Sequence, residues 1–428
     1  MRVFFSAVQW TMFILAGSVV APLAIGQAYG MTPAETADFV QRTLFVLGLV
    51  SLFQVTWGHR MPIMEGPAVL WWGVFLLFAS LGPAMGIGQA EVLPALGMGL
   101  FASGLIFVAA GAFGWMDAIR RWFSPTVIGM YFILLVVQMS GPFLNGILMT
   151  GEESGSGIGT LISLATLLVA LLFARTSVAL LRSYSVLIAI LFGWILFAVA
   201  GLYKPAEGAS GSLLSFPELL AWGWPQWNSG IILTSMIVTL LLFSNLIASL
   251  EAVEQVVQPK EKANANRSGL WMGVSQLLST LFSTVGFVPL SYTAGFILTT
   301  RIKERLPFIL GSLAVMLMSL FPSVTALFAS IPVSVGYAAV FLSFANMLGM
   351  GVREVVKGGL DERQMFIVGV ALMFGTGTMF LPASFFSLLP PYLTPLVSNG
   401  LLMGVLISML MEKALRSRRS NLSQELES

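Results

Sequence analysis

The sequence predicts an all-α, polytopic membrane protein, and three observations carry that reading. Of 428 residues, 57% are hydrophobic and only 9% charged, with a mean hydropathy of +0.91; soluble chains carry roughly 25% charged residues. Apolar runs of roughly 20 residues recur, the length of a helix that crosses a bilayer, where a barrel would show alternating segments of about 10. The basic residues sort to one side of the spans these runs define.

Taken in order, the spans fall near 5–27, 41–58, 62–84, 92–114, 124–144, 158–174, 184–202, 229–252, 268–286, 287–300, 306–328, 330–350, 364–383 and 391–412. Arg2 precedes the first, which is long enough to cross and shows no cleavage site for a secretory signal. With the N-terminus in the cytoplasm, nineteen of the twenty-one Lys and Arg lie inside and only Arg42 and Lys204 outside, a strong positive-inside bias. An even number of spans puts both termini in the cytoplasm. The expected location is the cell's inner (plasma) membrane, with the bilayer as a partner.

Fourteen spans divide into seven plus seven, 1–202 and 203–413, followed by a polar cytoplasmic tail, 414–428. An odd-numbered repeat inverts its copy. The third span opens "HRMPIMEGPAVLWWG" and the tenth reads "GFVPLSYTAGFILTT". Each is the third span of its half, and each is interrupted by Pro and Gly beside small polar residues. Interrupted spans in corresponding positions point to a binding site at the membrane midplane, because backbone freed from helix pairing can hold a ligand when it is buried in protein. An ordinary helix kink is the plainer alternative.

Composition excludes several classes. Cysteine is absent, and His59 is the single histidine, so disulfides, thiolate chemistry and a multi-histidine metal centre are ruled out. No cofactor is expected and the protein is not expected to be an enzyme. A net charge of +2 does not suggest a nucleic-acid partner. No "GxxxxGK[ST]" phosphate loop occurs, which argues against an ATP-driven pump, and no ring of acids or filter motif suggests a channel.

Three of the nineteen acids lie at or near membrane depth: Glu65, Glu251 and Glu254. A carboxylate at the bilayer centre costs roughly 2.5–3.5 kcal/mol on insertion scales, so it is a functional candidate by default. Glu251 and Glu254, three apart in "SNLIASLEAVEQVVQ", share a helix face. Two readings stand for Glu254, a solvated helix end near Lys260 and Lys262 or a proton-handling group. Two also stand for Glu65, the snorkelling end of the third span beside Arg60 or an intramembrane acid. His59 reads as an interfacial loop residue.

Several stretches, in order along most of the chain, resemble the nucleobase–cation symporter family, also called nucleobase–ascorbate transporters, which includes uracil and xanthine permeases. "SAVQWTMFILAGSVVAPLAIG", with Gln9, Trp10 and Pro22, looks like the family's first span. "RMPIMEGPAVLW" is similar to its "lPxxxGxSFAF", "GWMDAIRRWFSPTVIGM" to its "GWLD…FPPxxxG", and "IPVSVGYAAVFLSFAN" to its "IPxPVxGG". The resemblance implies inverted seven-span repeats arranged as a core and a gate, short strands in spans three and ten that meet at the substrate, and a homodimer.

The same resemblance implies the site. The family's "ExxG(H/D)" places its substrate-binding Glu at Glu251, with Gln255 at the His/Asp position and Glu254 at the Gly. Ala68 and Val69 occupy the start of "SFAF". Tyr292 stands where uracil permeases have a second Glu, Thr293 at the family's Asn, and Ser291 beside them with its backbone toward the substrate. Glu251 would accept hydrogen bonds from the N–H edge of a flat heterocycle. Tyr292 in place of an acid suggests a larger or differently substituted base.

The function implied is secondary active import of a nucleobase, a purine such as xanthine, urate or hypoxanthine, or uracil, by proton symport with alternating access. Candidates for the coupling proton are Glu251, Glu254, Gln255 and Glu65. Sodium is left open as the coupling ion. The alternative on the same fold is an anion transporter or exchanger of the sulfate-permease type, which would rest on helix N-termini and a positive centre.

Overall fold

The computed structural model of the protein describes residues 2–81, 88–116, 118, 124–148, 157–178, 181–182, 184–202, 212–357, 359, 361–382, 385, 397 and 399–426. The start of the last expected span, 391–396, lies outside these residues, as do Asp117, Arg120, Arg121, Glu152, Glu153, Lys204, Glu207 and Glu427.

The first half of the chain forms α1 (Arg2–Ser18), α2 (Val20–Ala28), α3 (Pro33–Thr56), a strand β1 (Glu65–Pro67), α4 (Val69–Leu81), α5 (Gln89–Ala112), α6 (Pro125–Leu148), α7 (Gly157–Arg175) and α8 (Ser185–Val199). The second forms α9 (Ser229–Val257), α10 (Ala265–Leu281), β2 (Phe287–Pro289), α11 (Thr293–Thr300), α12 (Arg305–Met318), α13 (Pro322–Ala329), α14 (Val333–Lys357), α15 (Glu362–Met379) and α16 (Gly400–Leu426). Helix α16 therefore runs on through much of the polar tail.

Six of these helices, with α1 and α2 taken as one span Val3–Ala28, are long and apolar enough to cross a membrane; α12 and α13, bent by 93° at their junction, make a seventh if taken together.

Local chemistry sets the boundaries. Pro22 has no amide hydrogen to return to the Ser18 carbonyl, and α1 gives way to α2 there. Helix α3 opens with a reciprocal cap: Thr32 N–H donates to Glu35 Oε2 at 2.7 Å, Glu35 N–H donates to Thr32 Oγ1 at 3.3 Å, and Pro33 takes the first turn. Asn228 and Asn264 cap α9 and α10, accepting from Ile231 N at 3.1 Å and Arg267 N at 2.9 Å. Gln258 ends α9 in the left-handed conformation, φ 52°.

The helices pack as two groups, each drawn from both halves of the chain. Helices α1 to α5 associate with α9 to α13, and α6 to α8 with α14 to α16. In the first group α5 and α10 approach closely: a Cβ on Gly273 would lie 2.6 Å from Val108 N and 2.7 Å from Gly104 O. Glycine at that position lets the two backbones touch, as small residues do between membrane helices.

Two arginines tie α3 to α10 in a reciprocal manner. Arg42 near the start of α3 donates from Nε to Ser283 O at 3.3 Å, in the turn after α10. Arg267 near the start of α10 donates from Nε to Gly58 O at 2.9 Å, in the turn after α3. Arg42 is 5% exposed and Arg267 partly buried. Beside the Arg42–Ser283 bond, the Thr43 and Thr284 hydroxyls meet at 2.9 Å.

The strands pair antiparallel, Glu65 opposite Pro289, Gly66 opposite Val288 and Pro67 opposite Phe287. Flanking bonds run from Ala68 N to Gly286 O at 2.8 Å and from Leu290 N to Met64 O at 3.0 Å. This parity puts Pro67 and Pro289 at positions whose amide would point away from the partner strand, so neither ring interrupts the ladder. The outward carbonyls of β2 are taken by side chains. Gln276 Nε2 donates to Phe287 O at 2.8 Å, and Ser249 Oγ of α9 donates to Pro289 O at 2.7 Å. All six strand residues are buried.

Candidate functional site

The Ser249 bond fixes α9 against β2 and sets the height of the next turns of that helix. Ile247, Leu250, Glu251, Glu254 and Gln255 form one stripe at helical spacing. That stripe lines a cavity of about 610 Å³, closed on the other side by Lys262 to Asn266 of the α9–α10 connection. Glu251 and Gln255 also line a second cavity of about 400 Å³, whose far wall is Ile128 and Phe132 of α6 with Glu354 and Lys357 of α14. They thus face the boundary between the two helix groups. Both side chains are exposed.

Glu254 is engaged differently. Its Oε1 accepts from Ala263 N at 2.6 Å and so ties the α9–α10 connection back onto α9. Lys357 is paired with Glu354 at 2.5 Å across the second cavity from Glu251.

The other expected residues gather at the ends of the strands. Ala68 is fully buried, and its N–H is committed to Gly286; Val69, partly buried, begins α4. Thr293 is fully buried and its Oγ1 accepts from Met64 N at 3.3 Å. Ser291 is partly buried and its carbonyl accepts from Ala294 N at 3.1 Å, turning the chain into α11.

Tyr292 is 39% exposed. Its ring stands edge-on to Phe13 of α1 at 5.8 Å, and its hydroxyl lies 3.9 Å from Met64 Sδ. A Cβ on Gly17 would come within 2.6 Å of that hydroxyl, so the glycine makes room for it. Phe13 in turn stacks on Phe296 at 4.1 Å.

The structure therefore assembles two clusters, Glu251–Glu254–Gln255 on α9 and Ala68–Val69–Ser291–Tyr292–Thr293 at the strand ends. Among the described residues, neither of the two cavities is lined by the second cluster. The link between clusters is β2 itself, through Ser249 and Pro289.

Of the two readings for Glu65, its burial, 0% exposed, goes against the snorkelling span end. His59 departs from the sequence expectation: at 2% exposed it is not an interfacial loop residue. The cause is the turn after α3. Arg60 adopts a left-handed backbone, φ 58°, and its N–H donates to Gln54 O at 3.1 Å, folding 57–64 back into the protein. His59 Nδ1 accepts from Met61 N at 3.0 Å, so the ring hydrogen sits on Nε2, which faces Glu65 Oε1 at 3.4 Å. Burial pushes the imidazole down to about 3, and the Arg305 and Arg267 charges act in the same direction. Among the described residues, Glu65 Oε2 has no hydrogen-bond partner.

Ser249, Gln276 and Phe13 also shape the site and were not expected from the sequence. The first two carried a signal, small or polar residues inside apolar helices; Phe13 carried none, being one aromatic in a run of apolar residues.

Known proteins resemble this chain in sequence, and others in architecture. The sequence profile of the Permease family (Xan_ur_permease) matches residues 1–384. The chain belongs to this family of membrane permeases. It is 37% identical to the Putative purine permease YwdJ of Bacillus subtilis, over 95% of this chain and 94% of that protein. It is 23% identical to the Xanthine permease of the same organism (93% and 90% covered) and 25% identical to the Uric acid transporter UacT of Escherichia coli (93% and 83%).

Two solved structures share the fold. They are the transmembrane domain of a cyanobacterium bicarbonate transporter BicA (TM-score 0.63, 14% identity, 96% of this chain and 97% of that one) and SLC26A9 (TM-score 0.66, 13% identity, 95% and 65%). The relatives are permeases rather than enzymes, and the chain is a multi-pass membrane protein.

Proposed function

We propose that this protein imports a nucleobase, a purine such as xanthine, urate or hypoxanthine, or uracil, by proton symport with alternating access. The observation that carries the reading is the placement of Glu251 on a helix pinned to the strand pair, facing the seam between two helix groups, in a chain whose relatives are named for purines, xanthine and uric acid. Glu251 accepts from the N–H edge of the base. Ala68, Val69, Ser291, Tyr292 and Thr293 form the other wall, with the Tyr292 ring available for stacking. The group containing both strands acts as the core and the group of α6 to α8 and α14 to α16 as the gate.

Under this reading the chain has fourteen spans in two inverted repeats, 1–202 and 203–413, with β1 in the third span and β2 in the tenth. The reciprocal contacts of Arg42 and Arg267 support such a symmetry, because each helix caps the turn of its counterpart at the opposite end. Both termini face the cytoplasm, the membrane is the inner (plasma) membrane, and the assembly is a homodimer. The coupling ion is a proton held among Glu251, Glu254, Gln255 and Glu65, with no other cofactor.

An anion cargo is the second reading, since BicA and SLC26A9 share the fold. At 13–14% identity that likeness concerns architecture alone, and the α9 stripe presents Glu251 and Glu254 to the cavity.

The test is uptake into proteoliposomes under an inward proton gradient, offering radiolabelled xanthine, hypoxanthine, guanine, urate and uracil beside sulfate and bicarbonate. Accumulation of one base, abolished by uncoupler, supports the proposal. Movement of sulfate or bicarbonate alone sinks it.

A further inference from the structure

We infer that the coupling proton resides on Glu65, held in place by a neutral His59, rather than on the acids of α9. This rests on the reading of the chain as a proton-driven base transporter.

The two α9 acids are poorly placed for the task. Glu251 is exposed to two cavities, and the Glu254 carboxylate is already occupied by the Ala263 N–H of the α9–α10 connection. A group that gates a conformational change by protonation needs an environment that tolerates one charge state and rejects the other. Glu65 has it. Its side chain is fully buried, Oε1 meets one donor at a long 3.4 Å, and Oε2 meets none among the described residues. A carboxylate so sealed, with no cation bonded to it among the described contacts, carries a desolvation penalty of several kcal/mol; the neutral acid carries far less.

The charged groups near the pair are basic. Arg267 of α10 and Arg305 of α12 act on His59, and both oppose an imidazolium. Arg60 is the next residue along the turn. Of the elements packed on β1, β2 has no titratable side chain and α1 has only Arg2. Helix α3 keeps its acids, Glu35 and Asp38, in its first turns, and its one base, Arg42, is engaged with the Ser283 carbonyl. Among the described contacts, none of these guanidinium groups bonds Glu65. His59 Nδ1 is committed to Met61 N–H, so the ring serves as a fixed Nε2–H donor and does not itself take the proton.

The step balances simply. A proton from the aqueous side adds to the carboxylate at Oε2 and leaves from the same oxygen after the reorientation; His59 keeps its hydrogen throughout. The consequence reaches the substrate wall along the strand. Glu65 lies opposite Pro289, whose carbonyl holds Ser249 of α9, and follows Met64, whose N–H holds Thr293 and whose sulfur meets Tyr292. An ionised Glu65 must find water or a cation, and any shift of β1 that allows this moves both clusters of the site.

The experiment uses the full chain in proteoliposomes, with whichever of xanthine, hypoxanthine, urate or uracil the parent carries. Two readouts are taken, base-driven proton entry with a trapped pH dye, and base-for-base exchange without a gradient. Glu65→Gln keeps the shape but has no proton to take up and release, so base-driven proton entry is expected to be lost while exchange persists. Proton entry at the parent level would overturn the inference and leave the transport reading intact. A parent that carries no base would remove the transport reading first.

Should Glu65→Gln neither exchange nor assemble, Glu65→Asp and His59→Gln decide. Each lengthens or alters the Nε2 contact while keeping the acid, so the midpoint of the pH–uptake profile is expected to move by about one unit. An unmoved midpoint in both overturns the inference.

Discussion

Arg42 donates to the carbonyl of Ser283, 241 residues further along the chain, and the pair closes one end of the α3–α10 contact. Ser283 is 1% exposed and left-handed, φ 48°, so its carbonyl depends on this donor. Arg42→Met keeps the apolar stem but orphans that carbonyl. A loss of about 1–3 kcal/mol is expected, read as a lower midpoint in thermal or denaturant melts of the detergent-solubilised protein. Arg267→Met, at a less buried position, is expected to cost less. Equal stability of parent and Arg42→Met would show that the bond contributes nothing net.

Glu251→Gln removes one of the two carboxylates of the α9 stripe without changing its shape. A hydrogen bond to a charged group contributes about 1.5–3 kcal/mol, so base affinity should fall by roughly ten- to a hundredfold. Binding measured by calorimetry or by the thermal shift on adding xanthine would show it. An affinity equal to the parent's would take Glu251 out of the substrate wall.

Under the proposed function, Tyr292 would offer the base either its ring or its hydroxyl. Tyr292→Phe keeps the edge contact with Phe13 and removes the hydroxyl; Tyr292→Ala removes both. If stacking dominates, Phe is tolerated and Ala loses about 1–3 kcal/mol of binding. Competition of xanthine against uracil in uptake measures it. A preference unchanged in both variants would argue that Tyr292 only packs against Gly17 and Met64.

His59 gives a pH signature. Its folded value is about 3, against 6.5 for the free side chain. The unfolded chain therefore binds a proton that the folded chain does not. Stability is intact above the unfolded value and falls as the pH drops below 6.5, by up to about 1.4 kcal/mol per unit from this group alone. Melts between pH 7 and pH 5 should show the slope, and His59→Gln should flatten it. A slope identical in the variant would assign the acid sensitivity elsewhere.

Periodic and bulk features of the sequence were legible before folding. Charge depletion and apolar run length are bulk properties, and they led to a multi-pass membrane protein. The three-residue spacing of Glu251 and Glu254 is a helix signal, and both side chains line one cavity. The His59–Glu65 pair has no such spacing. The two are six positions apart, and their contact depends on a left-handed Arg60 that no local pattern announces. Glu65 beside Arg60 reads as an interface in one dimension; folded, the chain carries the acid inward and leaves the guanidinium behind. Burial is a property of the whole packing, and a single sequence shows it only where the period is regular.

Pro67 and Pro289 have one more effect. Both lie where a strand would offer its amide to a neighbour on the open side, and neither has an amide to offer. The two carbonyls that face outward from β2 are already held by Gln276 and Ser249. Each proline removes one donor from an outer rim and both outward carbonyls of β2 are held, so a further strand would find few groups to pair with. The ribbon is a buried axle: backbone laid across the interior of a membrane protein, its β2 carbonyls held by side chains of two different helices, on which the helices at either end can be carried together.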